Sequence, residues 1–514
     1  MNKRLNKNPR LLEINARIWI KRFGKNSTIA TIPDDQIKTW QEMGIDMIWL
    51  MGIWDNNKSV ISEYCFEPDL ISSYNSALKD WQTDDVAGSP YSIDKYEINP
   101  LLGTKEQLLI FKKKLNDAGI SLILDFVCNH FSAKSSLIWT NKEIFLFADE
   151  YIFKNDPYTF YPSPANCKEY LAHGRDPFFP PWKDTAQINF YSSDARKYLI
   201  SVLNDLTEVC DGVRCDMAML PLNNIFFNTW IGVLKKYGFE KPEKEFWEEA
   251  ISVVKSKSEN FIFIAETYWD LEWQLQNLGF DFTYDKRLTD RLVAGDIKSI
   301  KDHLNAEKDY QQKSVRFLEN HDEDRAIVKL GRERSLAAAV LMSTIPGIAF
   351  YFDGQCDGKK IRLPLQLGRE PDEKQDEKVK EFYRNLFKIT KADVFRNGDW
   401  KILEPVTVGN SDFTFENLFA WEWRNEIDLR IIVINYSNST ARCRLQFEVQ
   451  SEAEDVILAD LINNVSYKRS AKEISEKGLF VELKSFNSHI FSVSKSNQEQ
   501  NYTDSSKNGN KFYP

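Results

Sequence analysis

The feature that most constrains this fold is a regular alternation of short apolar runs with helix-patterned segments, from Ile14 to about Asp353. The runs are rich in β-branched and aromatic residues, which favour strands. Repeated strand and helix units of this kind build parallel sheets, and eight of them close into a (β/α)8 TIM barrel. The eight predicted strands are Ile14–Ile20, Ile45–Leu50, Ser121–Val127, Gly212–Asp216, Phe261–Glu266, Phe280–Tyr284, Ser314–Leu318 and Gly347–Phe352.

Two parts of the chain depart from the barrel pattern. A segment rich in Pro, Tyr and Phe follows His130, and its length predicts a lid-like subdomain inserted after strand three. Beyond Arg396, period-two runs predict an antiparallel β-sandwich domain. Its predicted strands are Phe413–Glu422, Leu429–Tyr436, Cys443–Val449 and His489–Val493. The predicted organisation is a catalytic barrel (1–130 and 191–396), an inserted subdomain (131–190), a β-sandwich domain (397–495) and a disordered tail (496–514).

Charge and hydropathy exclude several classes of partner. A formal net charge of -9 argues against nucleic acid, whose binders carry basic patches. The longest apolar stretch, Leu336 to Phe352, is broken by Pro346 and Gly347, so no membrane span is predicted. The basic N-terminus has no apolar run before a cleavage site, which predicts a cytoplasmic protein. The sequence does not indicate an oligomeric state.

The cysteines do not suggest a disulfide framework. There are seven, an odd number, and they are scattered without a CxxC pair. A zinc site is not indicated either, because zinc ligands usually come in closely spaced pairs.

Four predicted strands end in polar residues, and in such barrels these ends face the substrate. They read LILDFVCNH (Asp125, Asn129, His130), DGVRCDMA (Arg214, Asp216), FIAETYW (Glu266) and RFLENHDEDR (His321, Asp322).

These residue types suit glycoside hydrolysis. Arg214 and Asp216 are two apart on a strand and share a face, so Arg214 can hold Asp216 ionised. Glu266 follows an apolar run, which favours its protonated form. An ionised carboxylate beside a protonated one can attack a sugar and protonate its leaving group, while Asp322 stabilises the positive charge.

Taken singly, each of these residues has an ordinary structural explanation. A lone Asp at a strand end often caps a helix, and a lone Asn-His pair is often buried and hydrogen-bonded. Their joint appearance in this order argues for a shared site.

In order, DFVCNH, GVRCD, AET and NHD closely resemble the four motifs of the alpha-amylase family of glycoside hydrolases. The resemblance covers roughly residues 12 to 395. Three further segments support it: GSPYSIDKYEINPLLGT, AQINF and IPGIAFYFDGQ.

The resemblance implies a role for each residue. Asp216 would be the nucleophile, Glu266 the general acid/base and Asp322 the transition-state stabiliser. The sugar-binding residues would be Tyr91, His130, Arg214 and His321, and Asp125 would support them or make a purely structural hydrogen bond. The chemistry would need no cofactor. Asn129 matches a position that binds structural calcium in many members, although calcium needs six to eight oxygens and the sequence does not identify the others. The implied partner is an oligosaccharide or an alpha-glucan.

The sequence also departs from the family pattern. Many starch-cutting members carry Lys-His where Met219 and Leu220 stand. We therefore expect a long chain to be bound weakly beyond the cleavage point, so that short oligosaccharides or disaccharides are the substrates. Alternatively, Phe178, Phe179 and Trp182 supply that grip by stacking. Gly88 stands where many exo-glucosidases carry a carboxylate, which Asp84 or Asp85 would have to replace. Trp54, Trp182 and Trp269 are candidate stacking residues or simply pack the loops that carry them.

Three other functions compete with hydrolysis. A non-catalytic binding member should have lost a catalytic carboxylate, and all three are present. A transglycosylase, sucrose-type phosphorylase or isomerising enzyme would use the same intermediate with another acceptor. A metal-dependent barrel needs clustered ligands, but only His130 and His321 of the five histidines lie at strand ends.

Overall fold

A computed structural model describes residues 5–449 and 455–495. The chain divides into two compact units, Met1–Lys391 and Ala392–Pro514. The predicted tail, 496–514, lies outside the described residues. Within the described part of the chain, no helix is both long enough and apolar enough to cross a lipid bilayer.

The first unit is built on a closed barrel of eight parallel strands, which confirms the predicted TIM barrel. Each strand pairs with its neighbours in chain order, and β1 closes the ring against β8. Large apolar side chains, among them Trp49, Ile264 and Phe350, fill the interior. The strands are β1 (Arg10–Asn15), β2 (Met47–Met51), β3 (Ser121–Val127), β4 (Gly212–Asp216), β5 (Ile262–Ala265), β6 (Phe282–Tyr284), β7 (Ser314–Arg316) and β8 (Ile348–Phe352).

The prediction for the first strand was wrong. The strand was expected at Ile14–Ile20, but β1 ends at Asn15 and a helix, Ala16–Trp19, follows. The Asn15 side chain accepts a hydrogen bond from the Arg17 N–H at 3.2 Å, which caps this helix and ends the strand. The earlier start brings Glu13 into β1, where it is fully buried.

Helices surround the barrel and connect its strands. Lys105–Asp117, for example, begins with a capping box in which Thr104 and Gln107 bond each other's backbone N–H. The helices of this unit are Ala16–Trp19, Asp34–Glu42, Lys58–Tyr64, Pro68–Ala77, Lys105–Asp117, Leu137–Thr140, Glu150–Asn155, Ser193–Val209, Asn223–Tyr237, Phe246–Lys257, Glu272–Asn277, Lys286–Ala294, Ile297–Leu304, Lys308–Gln312, Ala326–Leu330, Arg332–Ser343 and Glu377–Thr390.

The segment after β3 forms small sheets of its own. At its base His130–Ser132 pairs antiparallel with Thr185–Gln187, so the segment leaves and rejoins the barrel at one place. Between them, Phe147–Ala148, Tyr170–Ala172 and Phe160–Pro162 form a three-stranded sheet.

The second unit is antiparallel. Its strands are β9 (Asp399–Ile402), β10 (Leu418–Arg424), β11 (Leu429–Asn435), β12 (Ala441–Leu445), β13 (Asp455–Asp460), β14 (Val465–Ser470), β15 (Leu479–Leu483) and β16 (Ser488–Lys495). Six of them form one sheet in the order β9-β10-β11-β16-β13-β14, and β12 pairs with β15. The two sheets share an apolar core that includes Ile431, Leu458 and Val481. The predicted strand at Phe413–Glu422 begins later, at Leu418, because Thr414–Asn417 forms a 3-10 turn.

Candidate active site

Arg214 lies at the centre of the polar cluster at the carboxyl ends of the barrel strands. Its Nη1 donates to Asp216 Oδ1 at 2.7 Å and to Asp125 Oδ1 at 3.4 Å. Its Nη2 forms an ion pair with Glu266 Oε2 at 2.9 Å. All four side chains are buried. One guanidinium therefore gathers the carboxylates of β3, β4 and the end of β5.

Glu266 is held by two further donors. The Met217 N–H donates to Oε2 at 2.6 Å, and the Tyr268 hydroxyl donates to Oε1 at 2.9 Å. Met217 has φ 45°, a left-handed conformation that is uncommon for a residue other than glycine. Such strain often marks a functional site. Here it accompanies the turn that directs the N–H after Asp216 toward Glu266.

A second group of site residues is organised around His321. Its Nδ1 contacts Glu13 Oε1, and its Nε2 lies 2.9 Å from Asp322 Oδ2 and 2.9 Å from the Tyr91 hydroxyl. The Tyr91 ring in turn lies 5.4 Å from the Arg214 guanidinium, measured to the ring centroid. The structure therefore brings Tyr91, His321 and Asp322 into one site with the Arg214 cluster.

Asp125 accepts hydrogen bonds from two tryptophan side chains. Trp49 Nε1 donates to its Oδ2 at 3.1 Å, and Trp54 Nε1 donates to its backbone carbonyl at 2.8 Å. Trp54 was a candidate stacking residue, but it is 3 % exposed and cannot offer its face to a sugar.

His130 and Asn129 lie at the base of the inserted segment, where His130 pairs with Gln187. The His130 ring lies 5.3 Å from the half-buried Trp182 ring. The Asn129 amide oxygen accepts from Gln187 Nε2 at 2.9 Å, and its nitrogen donates to Gln187 Oε1 at 3.3 Å. Asn129 is thus engaged with a neutral amide.

The structure offers no cluster of acidic side chains for calcium at Asn129 within the described residues. Calcium binds six to eight oxygens, several of them from carboxylates. In residues 5–449 and 455–495, no group of three or more His, Cys, Asp or Glu side chains could hold a metal ion. The calcium suggested by the sequence therefore gains no support from the residues around Asn129.

Burial and neighbouring charge give the carboxylates different acidities. Burial raises the pKa of Glu266 to about 7, against the opposing charge of Arg214. Burial also raises the pKa of Asp216, and the Arg214 ion pair and hydrogen bond counteract it. Burial opposes ionisation of Asp322 too, but His321 lowers the pKa of Asp322 to about 2. The site thus contains a carboxyl group that can hold a proton near neutrality and a carboxylate that stays ionised.

The pKa values of His130 and His321 are also shifted in opposite directions. Burial lowers the pKa of His130 to about 4, so this ring is neutral. Burial works against charge on His321 as well, but Asp322 and Glu13 raise the pKa of His321 well above its usual value. We interpret His321 as an imidazolium between two carboxylates.

Sequence reasoning missed Glu13, Trp49 and Tyr268. Of the three, Glu13 could most easily have been predicted from the sequence. A glutamate inside the apolar run RLLEIN is unusual unless its charge is paired. Trp49 and Tyr268 carried no signal that distinguishes them from ordinary packing residues.

Met219 and Leu220 were expected on the leaving-group side of the site, but the structure buries both side chains. Met219 and Leu220 are 0 % and 3 % exposed, so they pack in the interior and present no surface to a sugar. Phe178 is 69 % exposed and lies edge-on to Trp269, with ring centroids 5.0 Å apart. Phe179 beside it is exposed as well. Phe178 and Phe179 therefore present exposed aromatic surface, whereas Met219 and Leu220 do not.

Comparison with known proteins shows sequence similarity to alpha-amylases. Residues 34–401 match the family model described as alpha amylase, catalytic domain. The chain is 24 % identical to alpha-amylase MalA of Haloarcula japonica over 421 residues, covering 79 % of this chain and 52 % of the relative. It is 28 % identical to alpha-amylase 2 of Dictyoglomus thermophilum over 326 residues, covering 59 % and 52 %. The chain thus spans about half the length of these curated relatives.

Solved structures share the fold. The noncanonic maltogenic alpha-amylase AmyB of Thermotoga neapolitana superposes with a TM-score of 0.67 at 21 % identity, covering 96 % of this chain and 99 % of that one. The alpha-amylase of Geobacillus thermoleovorans gives 0.65 at 16 % identity, covering 96 % and 100 %. The family model covers well over half of the sequence, so this chain belongs to the alpha-amylase family.

Proposed function

We propose that this chain is a retaining alpha-glycosidase that hydrolyses alpha-linked glucosides through a covalent glucosyl-enzyme intermediate. The observation that carries the proposal is the Arg214 guanidinium, which contacts Asp216 and Glu266 through neighbouring nitrogens. Retaining glycosidases need two adjacent carboxyl groups about 5 Å apart, and one shared guanidinium keeps such a pair together. The substrates would be maltooligosaccharides, starch-like glucans or short oligosaccharides.

In the first step, Asp216 attacks the anomeric carbon while Glu266 donates its proton to the departing glycosidic oxygen. The raised pKa of Glu266, about 7, makes the proton available near neutrality. In the second step, Glu266 takes a proton from water, which attacks the anomeric carbon and releases Asp216. A transglycosylase or phosphorylase would admit a sugar or phosphate in place of that water.

The remaining polar residues would bind the sugar and stabilise charge. Asp322 stays ionised beside His321 and can stabilise the positive charge that develops on the ring in the transition state. The Tyr91 ring offers a face on which a sugar can stack. Asp125 contacts Arg214 and Trp49 and would act by holding Arg214 in place.

The leaving group would lie beside Glu266 and the rings of Phe178 and Trp269. Stacking on aromatic faces does not require the polar groups that Met219 and Leu220 lack. The exposed rings support the alternative named above, in which aromatic residues of the inserted segment bind the leaving-group part of the substrate by stacking.

Retention of configuration is the direct test of the proposed reaction. Double displacement inverts the anomeric carbon twice, so the first product of maltooligosaccharide hydrolysis should be the alpha anomer. Proton NMR, recorded before the sugar mutarotates, checks this. A beta anomer formed first would rule out the two-step mechanism, and a new glycoside or sugar phosphate would indicate transfer or phosphorolysis.

The pH profile should show Glu266 as the proton donor. Its protonated form is needed, so kcat/KM on maltooligosaccharides should fall as pH rises through about 7. With alpha-glucosyl fluoride this fall should become much weaker, because fluoride leaves without a proton.

Asp125 provides the matched control, because burial raises the pKa of Asp125 to about 7 as well. Asp125→Asn should lower the rate but keep the alkaline fall. If Asp125→Asn abolishes that fall, the proton donor has been assigned to the wrong carboxylate.

A further inference from the structure

Two segments at the barrel mouth, residues 57–88 after β2 and residues 358–370 after β8, are joined to each other, and we call them the wall. The first contains the helices Lys58–Tyr64 and Pro68–Ala77. The second has no helix or strand in these residues. Both lie next to β1, across the barrel from β4 and β5.

Backbone and side-chain bonds tie the two wall segments together. The Ala87 N–H donates to the Gln366 carbonyl and the Gly368 N–H donates to the Asp85 carbonyl, each at 2.7 Å. Arg369 holds both oxygens of Asp85, at 2.8 and 2.9 Å. Asp85 is therefore committed to the wall and does not replace the carboxylate missing at Gly88.

The wall is also held by hydrogen bonds from Arg17 and by an apolar cluster between its two segments. Arg17, on the helix after β1, donates to the Gly88 carbonyl at 2.7 Å and to the Leu365 carbonyl. An apolar cluster of Cys65, Tyr74, Leu78, Val86 and Leu367 joins the helices to the β8 segment, with Leu363 packed against it. Bonds and packing of this kind make the wall a fixed part of the mouth.

A pocket is lined by the β8 segment of the wall and, among the site residues, by His321. Its lining includes His321, Asn15 and Asp353 at the strand ends, and Lys359, Leu363 and Glu370 of the wall. Arg22 closes one side by binding Asp353 at 3.0 Å and Glu370 at 2.6 Å. The pocket thus connects His321 with the β8 segment of the wall.

The chemistry identifies which part of the substrate meets the wall. The leaving group must lie beside Glu266, the acid that protonates it, at the end of β5. The glycosyl unit transferred to Asp216 then extends away from Glu266, toward His321 and the pocket. In an alpha-glucan this is the direction of the non-reducing end.

We infer that the wall closes the non-reducing side of the site, so that the enzyme takes a glucan by its non-reducing end and releases short products. This inference rests on the proposed glycosidase function. A chain cannot pass through the wall, so only its terminal units fit between the wall and the cleavage point.

The test compares two para-nitrophenyl maltoheptaosides, one with a free non-reducing end and one with an ethylidene group on it. Chromatography follows the loss of each parent compound. The blocked compound should be cleaved at least about tenfold more slowly, since a closed pocket rejects added bulk. Equal rates would overturn the inference and leave the proposed function standing. Cleavage of neither compound would overturn both.

A pair of variants tests the wall itself. Arg369→Ala removes the contacts to Asp85 and should narrow the difference between the two compounds several-fold. Arg442→Ala removes a more exposed arginine–carboxylate ion pair, with Glu482 in the second unit, and should leave the difference unchanged. A difference that stays the same in both variants would contradict the assignment of the selectivity to the wall.

Discussion

Replacing Asp216 by asparagine should lower kcat/KM on maltooligosaccharides by about two to five decades, roughly 3–7 kcal/mol of activation free energy. Asparagine keeps the shape of the side chain but cannot form the glycosyl ester. Asp216 lies at the barrel rim next to Arg214, and that guanidinium keeps Asp125 and Glu266 as partners. The melting temperature should therefore change by only a few degrees.

Asp281→Asn is the matched control for this variant. Asp281 is also an aspartate paired with a cation, since Lys255 Nζ lies 2.5 Å away, but it precedes β6 at the opposite end of the barrel. Its variant should keep kcat/KM close to that of the wild type. Asp216→Asn with activity within about tenfold of the wild type would remove Asp216 from the nucleophile role.

Replacing Glu266 by glutamine should have a comparable effect, but only where a proton is needed. Hydrolysis of maltooligosaccharides should fall by about two to four decades, the usual contribution of general acid catalysis. Attack on an alpha-glycosyl fluoride should persist, because fluoride needs no proton. The second step still lacks its base, so the glycosyl-enzyme should accumulate.

Added azide distinguishes the acid/base from the nucleophile. Azide needs no general base, so it should restore turnover of the fluoride by Glu266→Gln and give the alpha-glycosyl azide. With Asp216→Ala, azide attacks the substrate directly, so any azide product should be the beta anomer. The opposite pattern would mean that the two carboxylates have exchanged roles.

The barrel and the main polar residues could be predicted from the sequence because both are local signals. The strand β3 was predicted with its observed ends. The contact between Arg214 and Asp216 was predicted from their two-residue spacing on β4. The end of β1 could not be predicted from apolar content alone, because the Asn15 cap ends the strand while the chain stays apolar.

The rest of the site depends on contacts between distant residues. Glu13 and His321 are 308 residues apart, and Arg369 meets Asp85 across 284 residues. No periodicity encodes such pairs. Met219 and Leu220 illustrate the same limit, since family position suggested a site surface and only the packed structure places them in the interior.

The central claim is that Asp216 carries the glycosyl group during turnover. Mass spectrometry tests it most directly on Glu266→Gln, after reaction with alpha-maltosyl fluoride, quenching in acid and proteolytic digestion. We predict one added maltosyl group, located on Asp216. A maltosyl group on another residue, or an unmodified protein while fluoride is released under single-turnover conditions, would contradict the mechanism proposed for this site.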